Sequence, residues 1–208
     1  MFEYKQADSK LLILVGIFTA LYTLSNIIAI KQVDLGPFII PLGVLAIPIT
    51  FLVTDVINEV YGSDVAKSTV KVGFIAMAFV LVITQIAIRL SPSVIFGGQE
   101  SYVAIFGAVP RVTLASVCAY IVSQYHDVWA FHFWRKKTDG KYLWIRNNAS
   151  TVVSQLLDTI IFIVIAFAGV IPFDALKFMI LGQLLIKWIL ALLDTPFCYW
   201  LVLWAKKG

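Results

Sequence analysis

Six stretches of this chain are apolar over a length that can cross a bilayer. They cover about residues 11–30, 36–58, 68–90, 111–134, 148–171 and 176–204, and a helix needs roughly 20 such residues to span the hydrocarbon. The pattern predicts an all-α integral membrane protein with six transmembrane helices in one bundle. Residues 91–110 are rich in Ser, Gly and Pro yet fairly apolar, which predicts an outer loop or a re-entrant segment.

The composition supports the membrane class and excludes a soluble domain. Hydrophobic residues make up 61% of the 208 positions and charged residues 13%, whereas soluble domains have roughly 45–50% and 25%. No Pro/Gly/Ser-rich linker, low-complexity tract or long charge run marks a domain boundary in the sequence, so we predict one domain over residues 1–208. The net charge of +4 comes from basic residues at helix ends, where lipid headgroups attract them. No nucleic-acid partner is therefore predicted.

The distribution of Lys and Arg predicts which side of the membrane each loop faces. With the N-terminus inside, eleven of the sixteen basic residues fall on the cytoplasmic side and four on the outer side, while Lys187 stays within the last helix. Cytoplasmic loops carry the excess of Lys and Arg in membrane proteins. Both termini are therefore predicted to be cytoplasmic, in a multi-pass protein of the plasma membrane.

Polar residues recur inside two of the apolar stretches as the motif Ser-Gln-x-x-Asp. The copies begin at Ser123 and at Ser154, so Gln124 and Asp127 share one helix face and Gln155 and Asp158 share another. A carboxylate in hydrocarbon costs a few kcal/mol at least, so such rows normally face a protein interior or a water-filled cavity. We interpret the two rows as walls of a small-molecule site, with Asn147 at one end of the second row.

Other polar residues fall in the remaining helices and have structural alternatives. Asp55 and Glu59 share a face of the second helix, and Asn58 lies beside them. Gly62 is the predicted C-cap of this helix. In the last helix, Lys187 lies on a face with Gln183 and Asp194. A structural ion pair with Asp158 or Asp194 is the alternative role of Lys187, and Arg111 has the alternative of reaching to the outer membrane interface.

No metal, cofactor or familiar catalytic motif is predicted. His126 has only Asp127 beside it, and these side chains diverge on a helix, so a metal site lacks its ligands. The amide and carboxylate side chains instead suit a flat heterocycle with N–H donors and carbonyl acceptors, and the protein is predicted not to be an enzyme. The candidate substrate-binding residues are Asp55, Asn58, Glu59, Arg111, Gln124, Asp127, Asn147, Gln155, Asp158, Lys187 and Asp194.

These blocks resemble the queuosine precursor transporter family, also called the vitamin uptake transporter family. The residues that carry the resemblance are Asp55, Asn58, Glu59 and Gly62, then Arg111, Ser123, Gln124 and Asp127, then Asn147, Ser154, Gln155, Asp158 and Thr159, and last Lys187, Asp194, Thr195 and Pro196. The resemblance implies a six-helix prokaryotic plasma-membrane protein that imports deazaguanine precursors of queuosine, such as 7-cyano-7-deazaguanine and its aminomethyl analogue.

Within that family, the ligand is expected between the second, fourth, fifth and sixth helices. Asp158 and Gln155 are predicted to take its donor edge, and Gln124 and Lys187 its acceptors. The remaining acids are predicted to be helpers or proton sites: Asp55, Glu59, Asp127 and Asp194.

Two other functions and the mode of transport stay open at this point. The chain has the size of a substrate-binding subunit that works with a separate energising complex, and Asp127 with Asp158 suits an intramembrane enzyme that uses paired carboxylates. The excess of acids permits proton symport, whereas facilitated diffusion followed by trapping needs no coupling residue. A homodimer is likewise left open by the sequence.

Overall fold

The computed structural model describes residues 9–137 and 143–206. Within these ranges, the side chains of 124–125, 127–128, 131–132, 134–137, 143–151, 191–196, 198–199 and 206 lie outside the description. The elements are α1 Ser9–Ile28, β1 Gln32–Leu35, β2 Phe38–Pro41, a 3₁₀ turn Leu42–Leu45, α2 Ile47–Tyr61, α3 Ser63–Arg89, α4 Gln99–Lys137, α5 Leu143–Phe167 and α6 Phe173–Lys206.

The described chain is built mainly of helices that suit a membrane. Four segments are long and apolar enough to cross one, namely Ser9–Ile28, Leu42–Tyr61, Ser63–Arg89 and Gln99–Ser123, and Val152–Phe167 is a shorter apolar helix. In α3 large apolar side chains such as Phe79 and Ile83 are more than half exposed, as expected of a surface that faces lipid. The chain is therefore a multi-pass, helical membrane protein.

The second predicted helix begins later than expected, because residues 32–41 form a β-hairpin. β1 and β2 pair antiparallel, with Leu35 opposite Phe38 and Gln32 opposite Pro41. The two-residue connection contains Gly36 at φ 61° and Pro37, a combination that reverses the chain tightly. Proline also lacks the N–H that a helix interior needs, so helix α2 starts only after Pro41.

The fourth helix begins earlier than predicted. Residues 91–98 connect α3 to α4, but 99–110 are helical, and Pro110 lies inside α4. The prediction of a loop up to Pro110 was therefore wrong for its second half. The prediction treated proline as a helix boundary, although a neighbouring side chain can satisfy the carbonyl that proline leaves free.

Packing divides the described chain into two compact units. The first takes in the described parts of Met1–Lys31, Leu42–Gly107 and Ile186–Gly208, and the second is formed by Gln32–Pro41 and Ala108–Leu185. The single domain proposed from the sequence stays a prediction.

In the first unit, α1, α2 and α3 pack around a core that follows helical periodicity. Leu14 and Phe18 of α1 contact the α2 face that carries Val53 and Ile57, and all four are buried. Gly62 alone separates α2 from α3 and has φ 90°, a backbone conformation that residues other than glycine rarely adopt. Its N–H donates to the carbonyl of Asn58 at 3.1 Å, so the predicted C-cap is confirmed.

In the second unit, the hairpin packs closely against helix α6. A Cβ added at Gly182 would lie 2.8 Å from Cβ of Phe38 and 3.1 Å from Cγ2 of Ile40. These distances are shorter than normal carbon contacts, so only glycine lets the α6 backbone approach β2 this closely. The approach fixes the part of α6 that carries the next residue, Gln183.

Candidate functional site

Helices α4 and α5 form an antiparallel pair in the second unit. Near one end of the contact, Nδ1 of His126 lies 3.0 Å from Oγ of Ser154. Toward the other end, Nε of Arg111 donates to the carbonyl of Ile165 at 2.7 Å, and its Nη2 donates to the carbonyl of Ala168. Moving forward along α4 thus means moving backward along α5. These contacts fix the register of the polar residues between them.

The register brings the polar rows of α4 and α5 to one level. Asp158 follows Ser154 by four residues, while Ser123 and Tyr120 precede His126 by three and six residues. At about 1.5 Å per residue, Asp158 lies at the height of Tyr120 and Ser123. Ser123 is 7% exposed, and Asp158 and Tyr120 are half-buried. This part of the second unit is therefore polar although it lies inside apolar helices.

Helix α5 contributes most of the polar groups at this level. Ser154 and Thr159 are buried, and Gln155 and Asp158 are half-buried. Spacings of three and four residues place Ser154, Gln155 and Asp158 on adjoining parts of the helix surface. Oγ of Ser123 donates to the carbonyl of Tyr120 at 3.1 Å. Carboxylate, amide and hydroxyl groups thus lie together in this region.

Helix α6 supplies a further buried polar group to the second unit, Gln183. Its side chain is 5% exposed, and its Oε1 has no hydrogen-bond partner among the described residues. Gln183 lies ten residues after the start of α6, and Asp158 lies nine residues before the end of α5. Because a short connection joins the two helices, both side chains lie about 13–15 Å from that connection.

His126 was not proposed for the site from the sequence, and Gln183 was placed on a helix face with Lys187 but was not among the candidate substrate-binding residues. His126 was considered only as a metal ligand, yet it contacts the first residue of the second Ser-Gln-x-x-Asp motif. Its spacing of three from Ser123 was the available signal. For Gln183 the signal was a single amide within a long apolar run of α6.

Several predicted site residues belong to the first unit or to the other end of α4. Asp55, Asn58 and Glu59 are exposed on α2 of the first unit, and Lys187 is a buried residue in the first-unit part of α6. Arg111 is about 22 Å along α4 from His126, where its guanidinium donates to the carbonyls of Ile165, near the end of α5, and of Ala168, which directly follows the helix. Four more predicted residues have side chains outside the described part of the structure, namely Gln124, Asp127, Asn147 and Asp194.

The family is decided by comparison with known proteins. A family model described as "Putative vitamin uptake transporter" matches residues 41–201, which is well over half of the chain. The chain belongs to the vitamin uptake transporter family. It is therefore a membrane transporter and not an enzyme, and the resemblance found in the sequence blocks is confirmed.

Curated relatives of this vitamin uptake transporter occur in several bacteria. A Bacillus subtilis protein named "Probable queuosine precursor transporter" is 35% identical over 84% of this chain and 77% of its own length. A Haemophilus influenzae protein of the same name is 31% identical over 60% of this chain and 51% of its own length. The "Queuosine precursor transporter" of Escherichia coli is 28% identical over 70% of this chain and 63% of its own length. No solved structure matches the chain significantly.

For a transporter, the polar groups of the second unit have a direct chemical use. A carrier must offer hydrogen-bond partners that replace the water lost when a polar substrate enters the membrane. Asp158 supplies acceptor oxygens, Gln155 supplies both a donor and an acceptor, and Ser and His side chains can do either. We therefore take the level of Asp158 as the candidate substrate site.

Proposed function

We propose that this transporter imports queuosine precursors across the prokaryotic plasma membrane. The substrates are free deazaguanine bases, 7-cyano-7-deazaguanine and 7-aminomethyl-7-deazaguanine, or the related free base. Support comes from three relatives that carry the name queuosine precursor transporter. It also comes from the motif blocks of the sequence, which run through the matched region 41–201.

The observation that carries the proposal is the arrangement of Gln155 and Asp158 on α5. Both are half-buried within an apolar helix, three residues apart. A deazaguanine presents a ring N–H and an amino group on one edge, which a carboxylate accepts through two parallel hydrogen bonds. The adjacent ring carbonyl needs a donor, which the Gln155 amide can supply. Such charge-assisted bonds would offset the unfavourable free energy of placing a carboxylate inside the membrane.

Helix α4 provides the other side of the proposed site. Tyr120 is half-buried at the level of Asp158, and an aromatic ring can hold the face of a planar base by stacking. His126 adds a second ring, which is held at Ser154 and lies 5.9 Å from the ring centre of Trp129. A flat heterocycle is therefore favoured over an inorganic ion as the substrate of this region.

We also propose that the chain crosses the membrane six times with both termini in the cytoplasm. Helices α5 and α6 would then complete the four spans already long and apolar enough. The excess of Lys and Arg on the side of the termini supports this orientation. This orientation places residues 91–98 outside the cell. In a variant without its native cysteines, an impermeant thiol reagent added to intact cells should therefore label Ser93→Cys but not Ser63→Cys.

The decisive experiment measures transport by the purified chain. Liposomes that contain only this protein should accumulate labelled 7-cyano-7-deazaguanine faster than empty liposomes, and the recovered label should be unchanged. Binding without uptake would favour a subunit of a larger importer, and a chemically altered product would favour an enzyme. A host unable to make queuosine, supplied with either precursor, should recover queuosine in its tRNA only when it expresses this chain.

A further inference from the structure

The side chain of Gln183 is a buried hydrogen-bonding group with unused capacity. It is 5% exposed, and its Oε1 has no hydrogen-bond partner among the described residues. Buried polar atoms are almost always bonded, because leaving one unpaired costs free energy. Gly182, which allows the close approach to β2, directly precedes it. An amide held in this state is well placed to bind a ligand that brings its own N–H donor.

We propose that Gln183 is a specificity-determining residue that accepts a hydrogen bond from the pyrrole N–H of the deazaguanine base. In a nucleoside this nitrogen carries the sugar and has no hydrogen. The transporter would therefore accept free bases and reject nucleosides. This inference rests on the proposed function and adds to it a reason for substrate choice.

Gln183 is paired with the pyrrole N–H because the other donors of the base are already proposed to bind Asp158. The ring N–H and the amino group share the edge proposed for Asp158 on α5. The pyrrole N–H is the remaining donor that all deazaguanine bases have in common, and it lies on the other ring. Gln183 lies about as far along α6 from the connection to α5 as Asp158 lies along α5, and in the proposed site its oxygen would meet the far side of a base whose first edge faces α5.

An N-substituted base would be disfavoured at this position. The substituent removes the donor, so the base offers no hydrogen bond to Oε1, which has no partner among the described residues. Sites built to hydrogen-bond a substrate group reject analogues that lack it far more strongly than apolar pockets do. The discrimination should therefore be lost when the oxygen of Gln183 is removed.

The test compares 7-cyano-7-deazaguanine with its N9-methyl derivative as competitors of uptake into liposomes. With the unmodified protein, the methyl derivative should compete at least about tenfold more weakly. In Gln183→Met, the parent base should compete for uptake almost as weakly as the methyl derivative. The ratio of the two inhibition constants should therefore fall toward one. Thermal stability of this variant in detergent should be unchanged or higher, because an unpaired polar atom has been replaced by an apolar one of similar size.

Thr113→Val is the matched control. Thr113 is 6% exposed in the same unit, and its Oγ1 also has no partner among the described residues, but it lies seven residues along α4 from Tyr120. This variant should keep the full preference for the parent base. A ratio that stays high in Gln183→Met, or falls equally in Thr113→Val, would overturn the role of Gln183. Absence of any base uptake by the unmodified protein would instead refute the proposed function.

Discussion

The side-chain amide of Gln85 on α3 donates to the main-chain carbonyl of Phe106 on α4, with 3.4 Å between Nε2 and the oxygen. This carbonyl is four residues before Pro110, so it is the one that proline, lacking an N–H, leaves without its helical donor. In a bilayer no water replaces the lost bond. Gln85 thus provides the donor that makes proline acceptable inside this helix.

A double-mutant cycle tests this relationship. Gln85→Leu should lower the free energy of unfolding by about 1 kcal/mol, since the carbonyl of Phe106 loses its donor. In a Pro110→Ala background the new N–H binds that carbonyl, so the same change should cost almost nothing. Thermal unfolding of the detergent-solubilised variants gives the coupling between the two positions.

Gln99 provides the control for this cycle. Its amide donates to the carbonyl of Ile88, also at 3.4 Å, and the proline four residues after Ile88 is Pro92, not Pro110. The effects of Gln99→Leu and Pro110→Ala should therefore add. Additive effects for Gln85→Leu as well would show that Gln85 does not compensate for the proline.

The contact between His126 and Ser154 predicts a graded response to substitution. His126→Leu removes the atom that lies 3.0 Å from Oγ of Ser154 and should cost about 1 kcal/mol of stability. His126→Asn should lose less, because its side-chain amide occupies nearly the place of Nδ1. Uptake should follow the same order, because the contact fixes α4 against the α5 turn that carries Gln155. Equal losses in both variants would mean that ring packing, not the hydrogen bond, matters.

The sequence predicted those parts of the structure that depend on local chemistry. The C-cap at Gly62 follows from the freedom of glycine at positive φ, and most helices follow from apolar length alone. Helix α4 was predicted too short, because the partner of the Phe106 carbonyl is a side chain from another helix. Such a contact has no signal near Pro110 in the sequence.

The candidate site was predicted in the same partial way. The spacing of Gln155 and Asp158 is local and was read correctly as one helix face. The contact between His126 and Ser154 depends on the register between α4 and α5. The depth of Gln183 relative to Asp158 likewise depends on where α5 ends and α6 begins. Arg111 was predicted to bind substrate because a charge in an apolar segment suggests function, and its hydrogen bonds to the carbonyls of Ile165 and Ala168 become visible only in the fold.

Asp158 should be required for substrate affinity. Asp158→Asn keeps the shape but replaces one acceptor oxygen by a donor that opposes the N–H groups of the base. A charge-assisted bond contributes about 1.5–3 kcal/mol, so the KM of uptake should rise roughly tenfold or more. Asp174→Asn is the control, because this exposed acid at the start of α6 pairs with Lys177 at 3.0 Å and should not affect uptake. An unchanged KM in Asp158→Asn would remove this residue from the site.

Arg111 should stabilise the protein without binding substrate. Its guanidinium donates to the carbonyls of Ile165 and Ala168 at the end of α5, where helical carbonyls lack their own donors. Arg111→Met should lower the free energy of unfolding by about 1 kcal/mol and leave the KM of the remaining uptake unchanged. Arg111→Lys should recover part of the stability, since it keeps the charge but not the two-pronged geometry. A large rise in KM without loss of stability would instead support the substrate role predicted from the sequence.

Gly182 should tolerate no side chain, because α6 lies too close to the hairpin. In Gly182→Ala the new Cβ would lie 2.8 Å from Cβ of Phe38, which belongs to the strand and cannot rotate away. Overpacking of this kind costs about 1–3 kcal/mol, so the thermal midpoint in detergent should fall. Gly16→Ala serves as the control, since its added Cβ would meet no described atom within 4 Å beyond the adjoining backbone of its own helix and alanine favours the helix. Because the hairpin adjoins the segment with Gln183, Gly182→Ala should also weaken competition by the parent base, whereas Gly16→Ala should not. Equal stability of the two variants would mean that β2 and α6 are not held at this distance.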